Sequence, residues 1–176
     1  MIIEKRVEVL NKKIFEADFL EGRGLGNEIP FWIFDYPPEN ELLIRYSIGR
    51  LLENSQKKSI NILEIDLYEL CLELLDNKID LGKITSFESK KGSDLLLEKL
   101  KLILKIDSIR DHIKVRMESQ GNVHIVFLTG IGKAWPLIRS HSVLNNLQSI
   151  MGNTPLIAFY PGQYDNSILS LFGKFK

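Results

Sequence analysis

The chain has almost no cysteine, no surplus of either charge and no long apolar run, and each shortage closes off a class of protein. Cys71 is the single cysteine, so an intramolecular disulfide and a thiolate metal cluster are both excluded. Leu70 and Leu72 flank it in a helical-looking run, which predicts a buried structural thiol. Basic and acidic residues number 23 each, for a formal charge of zero. A chain that lives on nucleic acid phosphates usually carries a basic surplus, so direct nucleic-acid binding is not expected. No stretch reaches the roughly eighteen apolar residues of a membrane span. Residues 1–10 include Glu4, Lys5, Arg6 and Glu8, too much charge for the apolar centre of a signal peptide. A cytoplasmic location without membrane contact is the expectation.

What is present fits one globular domain. The 176 residues are 44% hydrophobic and 26% charged, enough to bury a substantial core without staples. Residues 1–20 place Ile3, Val7, Leu10 and Ile14 at helical spacing and predict one amphipathic N-terminal helix. Gly22, Gly24 and Gly26 break it. The aromatic run Pro30-Phe31-Trp32-Ile33-Phe34-Asp35-Tyr36 then reads as a buried strand stopped by Pro37-Pro38. A helix is predicted over 39–53, a strand over 60–65 and a helix over 67–77, with Asp66 capping the last. Residues 78–92 are polar and irregular, and an exposed loop is expected there. Ser93 reads as the cap of a helix carrying Leu96, Leu100, Ile103 and Leu104, and a further helix follows over 106–117. Residues 123–129 form the clearest strand in the chain. Pro136 suits a helix first turn, so one helix is predicted from Trp135 to Met151. A fourth strand, 156–160, is halted by Pro161-Gly162, and residues 168–172 leave strand and helical turn equally open. Alternation of strands and helices implies an α/β fold: a single domain, residues 1–176, with a mostly parallel sheet of four to five strands covered by helices.

Ligands of such sheets bind outside the carboxyl ends of the strands. The loop Gly130-Ile131-Gly132-Lys133 has the layout of a phosphate cradle, strand then glycine-rich turn then helix. Its detail departs from a Walker A loop, because Phe127 stands where the first glycine belongs and Ala134 where a magnesium-binding hydroxyl belongs. Gly22-Arg23-Gly24-Leu25-Gly26 precedes a strand instead of following one, the reverse of a dinucleotide fingerprint. Ser140, His141 and Asp165 supply the letters of a hydrolytic triad, but adjacent helical residues point about 100° apart. His141 is expected to be a partly buried core histidine on the edge of the Leu137, Leu144 and Met151 stripe. His112 and His124 lack ligand spacing, so neither a metal nor a cofactor is expected. Glu64, Asp66 and Asp35 lack the neighbouring lysine of a nuclease strand. Lys99, Lys101 and Lys105 read as a solvated helix face, with a nucleic-acid-binding module as the weaker alternative. Arg139, Ser142 and Asn146 fall on one helical face opposite the apolar residues, with Trp135 beside them, a composition that protein contacts use.

Three blocks of sequence carry a resemblance. They are Pro30-Phe31-Trp32-Ile33-Phe34-Asp35-Tyr36-Pro37-Pro38, then Phe127 to Lys133 with Pro136-Leu137-Ile138-Arg139-Ser140-His141 and Leu144-Asn145-Asn146-Leu147, and finally Phe159-Tyr160-Pro161-Gly162-Gln163-Tyr164 with Leu171-Phe172-Gly173-Lys174. Together they resemble the BrxB family of BREX phage-defence systems from about Gly24 to Lys174. The resemblance implies a small subunit without an assigned catalytic activity, encoded beside a methyltransferase, an ATPase and the phosphatase-like protein PglZ. It also implies contact with PglZ, self-association as a possible homodimer, and a segment beyond the Leu-Phe-Gly-Lys motif. The expected function is therefore a non-catalytic adaptor. Its expected contact surface gathers Gly130, Gly132, Lys133, Trp135, Arg139, Ser142, Asn146, Tyr160, Pro161, Gly162 and Tyr164. The alternative is a nucleotide-binding or hydrolytic protein that uses residues 130–133.

Overall fold

The computed structural model describes residues 2–22, 30–165 and 168–175. Helix α1 (Ile3–Lys13) and the short α2 (Ala17–Leu20) replace the single N-terminal helix that the periodicity suggests. The turn between them lets both Ile14 and Phe19 face inward, at 0% and 5% exposure. Of the first glycine set only Gly22 falls within the described residues; Arg23, Gly24, Leu25 and Gly26 lie outside them. Next come β1 (Phe31–Tyr36), α3 (Glu41–Lys57), β2 (Ile62–Asp66) and α4 (Leu67–Asp76). Helices α5 (Ile84–Lys91), α6 (Ser93–Ile103) and α7 (Ile106–Gln120) lead to β3 (Ile125–Thr129). The chain closes with α8 (Ile131–Ala134), α9 (Ser140–Met151), β4 (Leu156–Tyr164) and β5 (Leu169–Leu171).

The sheet runs in the order β1-β4-β3-β2, all four parallel, and β5 adds antiparallel to the end of β4. Its two central strands are buried along their shared length because both faces are covered. Successive side chains point to opposite faces. Ile125, Phe127, Ile157 and Phe159 therefore pack with Leu10 of α1, with Ile14 just past its end, and with Ile44, Ile48 and Leu51 of α3. Val126, Leu128, Leu156 and Ala158 turn the other way, onto Leu70, Leu74, Ile109, Ile113, Val143 and Leu147 of α4, α7 and α9. Cys71 sits in this second layer at 0% exposure, and burial, then the charge of Asp66, pushes its thiol up to about 12.

Several local expectations give way. Residues 84–91 form helix α5 where a loop was expected, because Ile84 and Phe87 are one helical turn apart and nothing between them breaks a helix. The segment is exposed all the same, with no buried residue on α5. Ser93 lies inside α6 and does not cap it: Gly92, at φ +85°, holds the cap position, and the Ser93 hydroxyl donates to Glu88 Oε1 at 2.6 Å. The helix predicted from Trp135 to Met151 is split. Trp135 is extended at ψ 137°, as residues before proline tend to be, so α8 ends at Ala134 and α9 begins only at Ser140. β4 is not halted at Pro161-Gly162 but runs on to Tyr164. Pro161 occupies the last register position opposite β1, where its missing N–H costs little, and beyond it the strand exchanges its parallel neighbours for β5.

Candidate functional site

Asp66 ends β2 and caps α4 as expected, its Oδ1 accepting from the amides of Tyr68 and Glu69 at 3.0 and 3.2 Å. Its other oxygen, Oδ2, accepts from Lys133 Nζ at 2.6 Å, and Glu69 stands 3.6 Å from the same ammonium. The carboxylate lies so close to the backbone of Gly130 that a Cβ there would meet Asp66 Oδ1 at 2.1 Å. Gly130 also has φ +67°, so this position needs glycine for two reasons. The pair lines a crevice of about 260 Å³ between α3 and the strand ends. Thr129 donates to Glu64 Oε1 at 2.9 Å there, Tyr36 donates to Glu41 Oε2 at 2.6 Å, and Arg45 Nε donates to Glu41 Oε1 at 2.7 Å. Burial, followed by the hydrogen bond to Glu41, raises the Tyr36 phenol well above its ordinary range. Each charged group of this crevice thus faces a partner of opposite sign or a donor from its own chain. Gly130 and Lys133 line this crevice, with the Lys133 side chain 31% exposed.

A larger groove of about 710 Å³ opens where β4 leaves the parallel sheet. Its floor is apolar: Leu144 of α9, Tyr160 of β4 and Leu171 of β5 are all buried. One wall is Trp135, stacked on Phe175 with ring centroids 4.3 Å apart. Tyr164 and Ile168 form another wall, and Arg139, His141 and Lys174 add cationic or titratable rim groups. Among the described residues, neither Arg139 nor Lys174 is held in an ion pair. The return turn that carries Phe175 depends on two left-handed residues, Phe172 at φ 55° and Gly173 at φ 68°, and on Leu171 donating its amide to Phe175 O at 2.7 Å. The far wall is tied to the body of the sheet. Tyr164 N donates to Asp35 Oδ2 at 3.2 Å, and Asp35 Oδ1 takes Arg6 of α1 at 2.6 Å.

The expected contact surface is therefore divided. Trp135, Arg139, Tyr160 and Tyr164 meet in the groove. Tyr160 is only 1% exposed and forms floor, not protruding surface. Burial raises its phenol pKa, and a hydrogen bond with Ser140 partly offsets that rise. Pro161 and Gly162 are buried beneath the rim, and a Cβ on Gly162 would meet Ser170 O at 2.1 Å. Gly132 is packed against Pro161 and Phe172. Ser142 and Asn146 do not line the groove; both are half-buried, and Asn146 Nδ2 donates to Ser142 O at 2.9 Å. The break at Pro136 explains this, because it resets the helical phase on which the stripe was counted. His141 is exposed, correcting its expected place in the core, with Nε2 3.4 Å from Ser142 Oγ. His124 is structural, its Nδ1 accepting from the Asn61 amide at 2.9 Å. Ile168, Lys174 and Phe175 escaped the sequence reading. Their only signal was Leu171-Phe172-Gly173-Lys174, whose glycine hints at the turn.

Fold and groove together define a doubly covered α/β subunit with an aromatic, cation-rimmed surface at one end of its central strand. The family model described as BREX protein BrxB matches residues 63–176. A relative from Bacillus cereus (strain H3081.97), named BREX protein BrxB, is 44% identical over 179 residues, 99% of this chain and 92% of its own length. A second of the same name, from Escherichia coli O9:H4 (strain HS), is 36% identical over 171 residues, 96% of this chain and 84% of its own length. No solved structure matches. The chain belongs to the BrxB family and is a component of a BREX system.

Proposed function

We propose that this subunit serves phage defence as an adaptor without turnover of its own, docking on PglZ through the groove between α9 and β5. The observation that carries this reading is the groove's chemistry. Exposed aromatics over a buried apolar floor, rimmed by cations that have no ion-pair partner among the described residues, are the materials of an interface hot spot. The competing nucleotide reading would place a phosphate on residues 130–133. Against it, Lys133 already pairs with Asp66, and α8 is four residues long and adds little dipole.

Copurification with PglZ tests the proposal. Arg139→Glu and Trp135→Ala should each reduce recovery, and the double variant should abolish it, with circular dichroism unchanged. Full recovery of PglZ by the double variant would refute docking at this groove. Thermal shift with ATP and GTP, with and without magnesium, tests the competing reading. A ligand at a hundred times its Kd would add about 2.7 kcal/mol of stability, and such a shift would favour nucleotide binding.

A further inference from the structure

Away from the groove, α5 and α6 form a hairpin with no buried residue on either helix. That is unusual for α6, where six of eleven residues are leucine or isoleucine. An apolar trough of about 420 Å³ runs between the two helices, lined by Ile84, Phe87, Leu96, Leu100 and Ile103. Leu100 and Ile103 touch the main core at one end, while Leu95 and Leu102 are exposed at 36% and 68%. An amphipathic helix ordinarily buries its apolar stripe, and a contiguous exposed patch of this kind marks an interaction surface.

Charge says what covers it. Residues 78–105 hold seven lysines and four acids, a surplus of three positive charges in a chain whose total is zero. Lys83 and Lys99 stand at the trough itself. Two of the acids are already engaged, Asp80 with Lys83 at 3.4 Å and Glu88 with the Ser93 hydroxyl. Among the described residues, no carboxylate pairs with Lys90, Lys91, Lys99, Lys101 or Lys105. A second copy of this hairpin would meet like charge with like. The acidic helix of the chain itself, α4, spends its apolar face on the core. We infer that the trough receives an acidic amphipathic helix of a partner protein, its apolar residues seated on Phe87 and Leu96 and its carboxylates on the flanking lysines, in the helix-in-groove mode. The inference uses a different surface from the PglZ groove and does not depend on it.

The probe is a labelled designed peptide of about twenty residues with leucine at i, i+3, i+4 and i+7 and glutamate elsewhere, titrated against the full chain by fluorescence anisotropy. Its mirror, with lysine replacing each glutamate, is the control. The acidic peptide should bind saturably, weaken at high salt, and lose at least tenfold in affinity with Lys83→Glu/Lys99→Glu, whose positions are exposed. Phe87→Ala should weaken binding at any salt. A photo-crosslinker at position 96, in cells carrying the whole defence system, should join the chain to a segment that is acidic and apolar at helical spacing. No saturable binding, equal binding of both peptides, or capture instead by anionic phosphatidylglycerol vesicles would overturn the inference. So would a crosslink to a second copy.

Discussion

Two clefts open near the carboxyl ends of the same sheet, and they spend their charged residues in opposite ways. In the crevice beside Lys133, Asp66, Glu64, Glu41 and Arg45 answer one another or a neighbouring hydroxyl. In the groove beside Trp135, Arg139 and Lys174 have no carboxylate partner among the described residues and stand above an apolar floor. The first arrangement favours cohesion of the fold. The second leaves free energy to be gained by something that arrives from outside. Charged residues at strand ends are thus a poor guide to function until their partners are known.

That contrast can be broken most forcefully at Gly162, which belongs to neither cleft but holds the groove's wall in place. Gly162→Ala would push its methyl into the Ser170 carbonyl. A loss of about 1–3 kcal/mol is expected for such overpacking, and PglZ recovery should fall with it, so urea unfolding and copurification would move together. Next is Gly130→Ala. A left-handed φ costs an L-residue roughly 1–2 kcal/mol, and displacement of Asp66 adds to that. Urea unfolding should show the loss, while PglZ recovery from the folded fraction stays unchanged; impaired recovery would link the two clefts.

Asp66→Ala removes a helix cap, a loss of about 1 kcal/mol. The ion pair with Lys133 adds little because both side chains are about a third exposed. Trp135→Ala forfeits the stack on Phe175, about 0.5–1.5 kcal/mol. The smallest stability effect belongs to Arg139→Glu, within about 0.5 kcal/mol as for most surface substitutions, although the effect of both on PglZ recovery is expected to be the largest. Cys71 gives an internal standard for all five variants. Its burial and raised thiol pKa predict no alkylation by iodoacetamide at pH 8 in the folded chain. Prompt labelling in any variant would mean that the body of the fold has opened.

The parallel sheet was legible in the sequence because Phe31 to Tyr36, Ile62 to Ile65, Ile125 to Thr129 and Leu156 to Tyr160 are short apolar runs between polar breaks. Asp66 was legible as a cap because capping is local chemistry. The groove was legible only in part. Trp135, Arg139, Tyr160 and Tyr164 were named, yet Pro136 fits a helix first turn as readily as a helix break, and sequence alone does not choose between them. The helical phase of Ser142 and Asn146 was lost with that choice. Phe175 and Ile168 reach the groove through a strand of three residues and a turn, elements too short to leave a period. The pairing of Lys133 with Asp66 was not legible for a different reason: its partner is 67 positions away, and no local pattern reports a distant carboxylate.

β4 has one further consequence. Its first residues are clamped between β1 and β3 in the middle of the molecule, and its last three are hydrogen-bonded to β5 at the rim. A single covalent thread therefore joins the middle of the sheet to the rim of the groove. A load applied at the aromatic rim would pass along β4 to β1 and β3, because the same strand is paired at both ends.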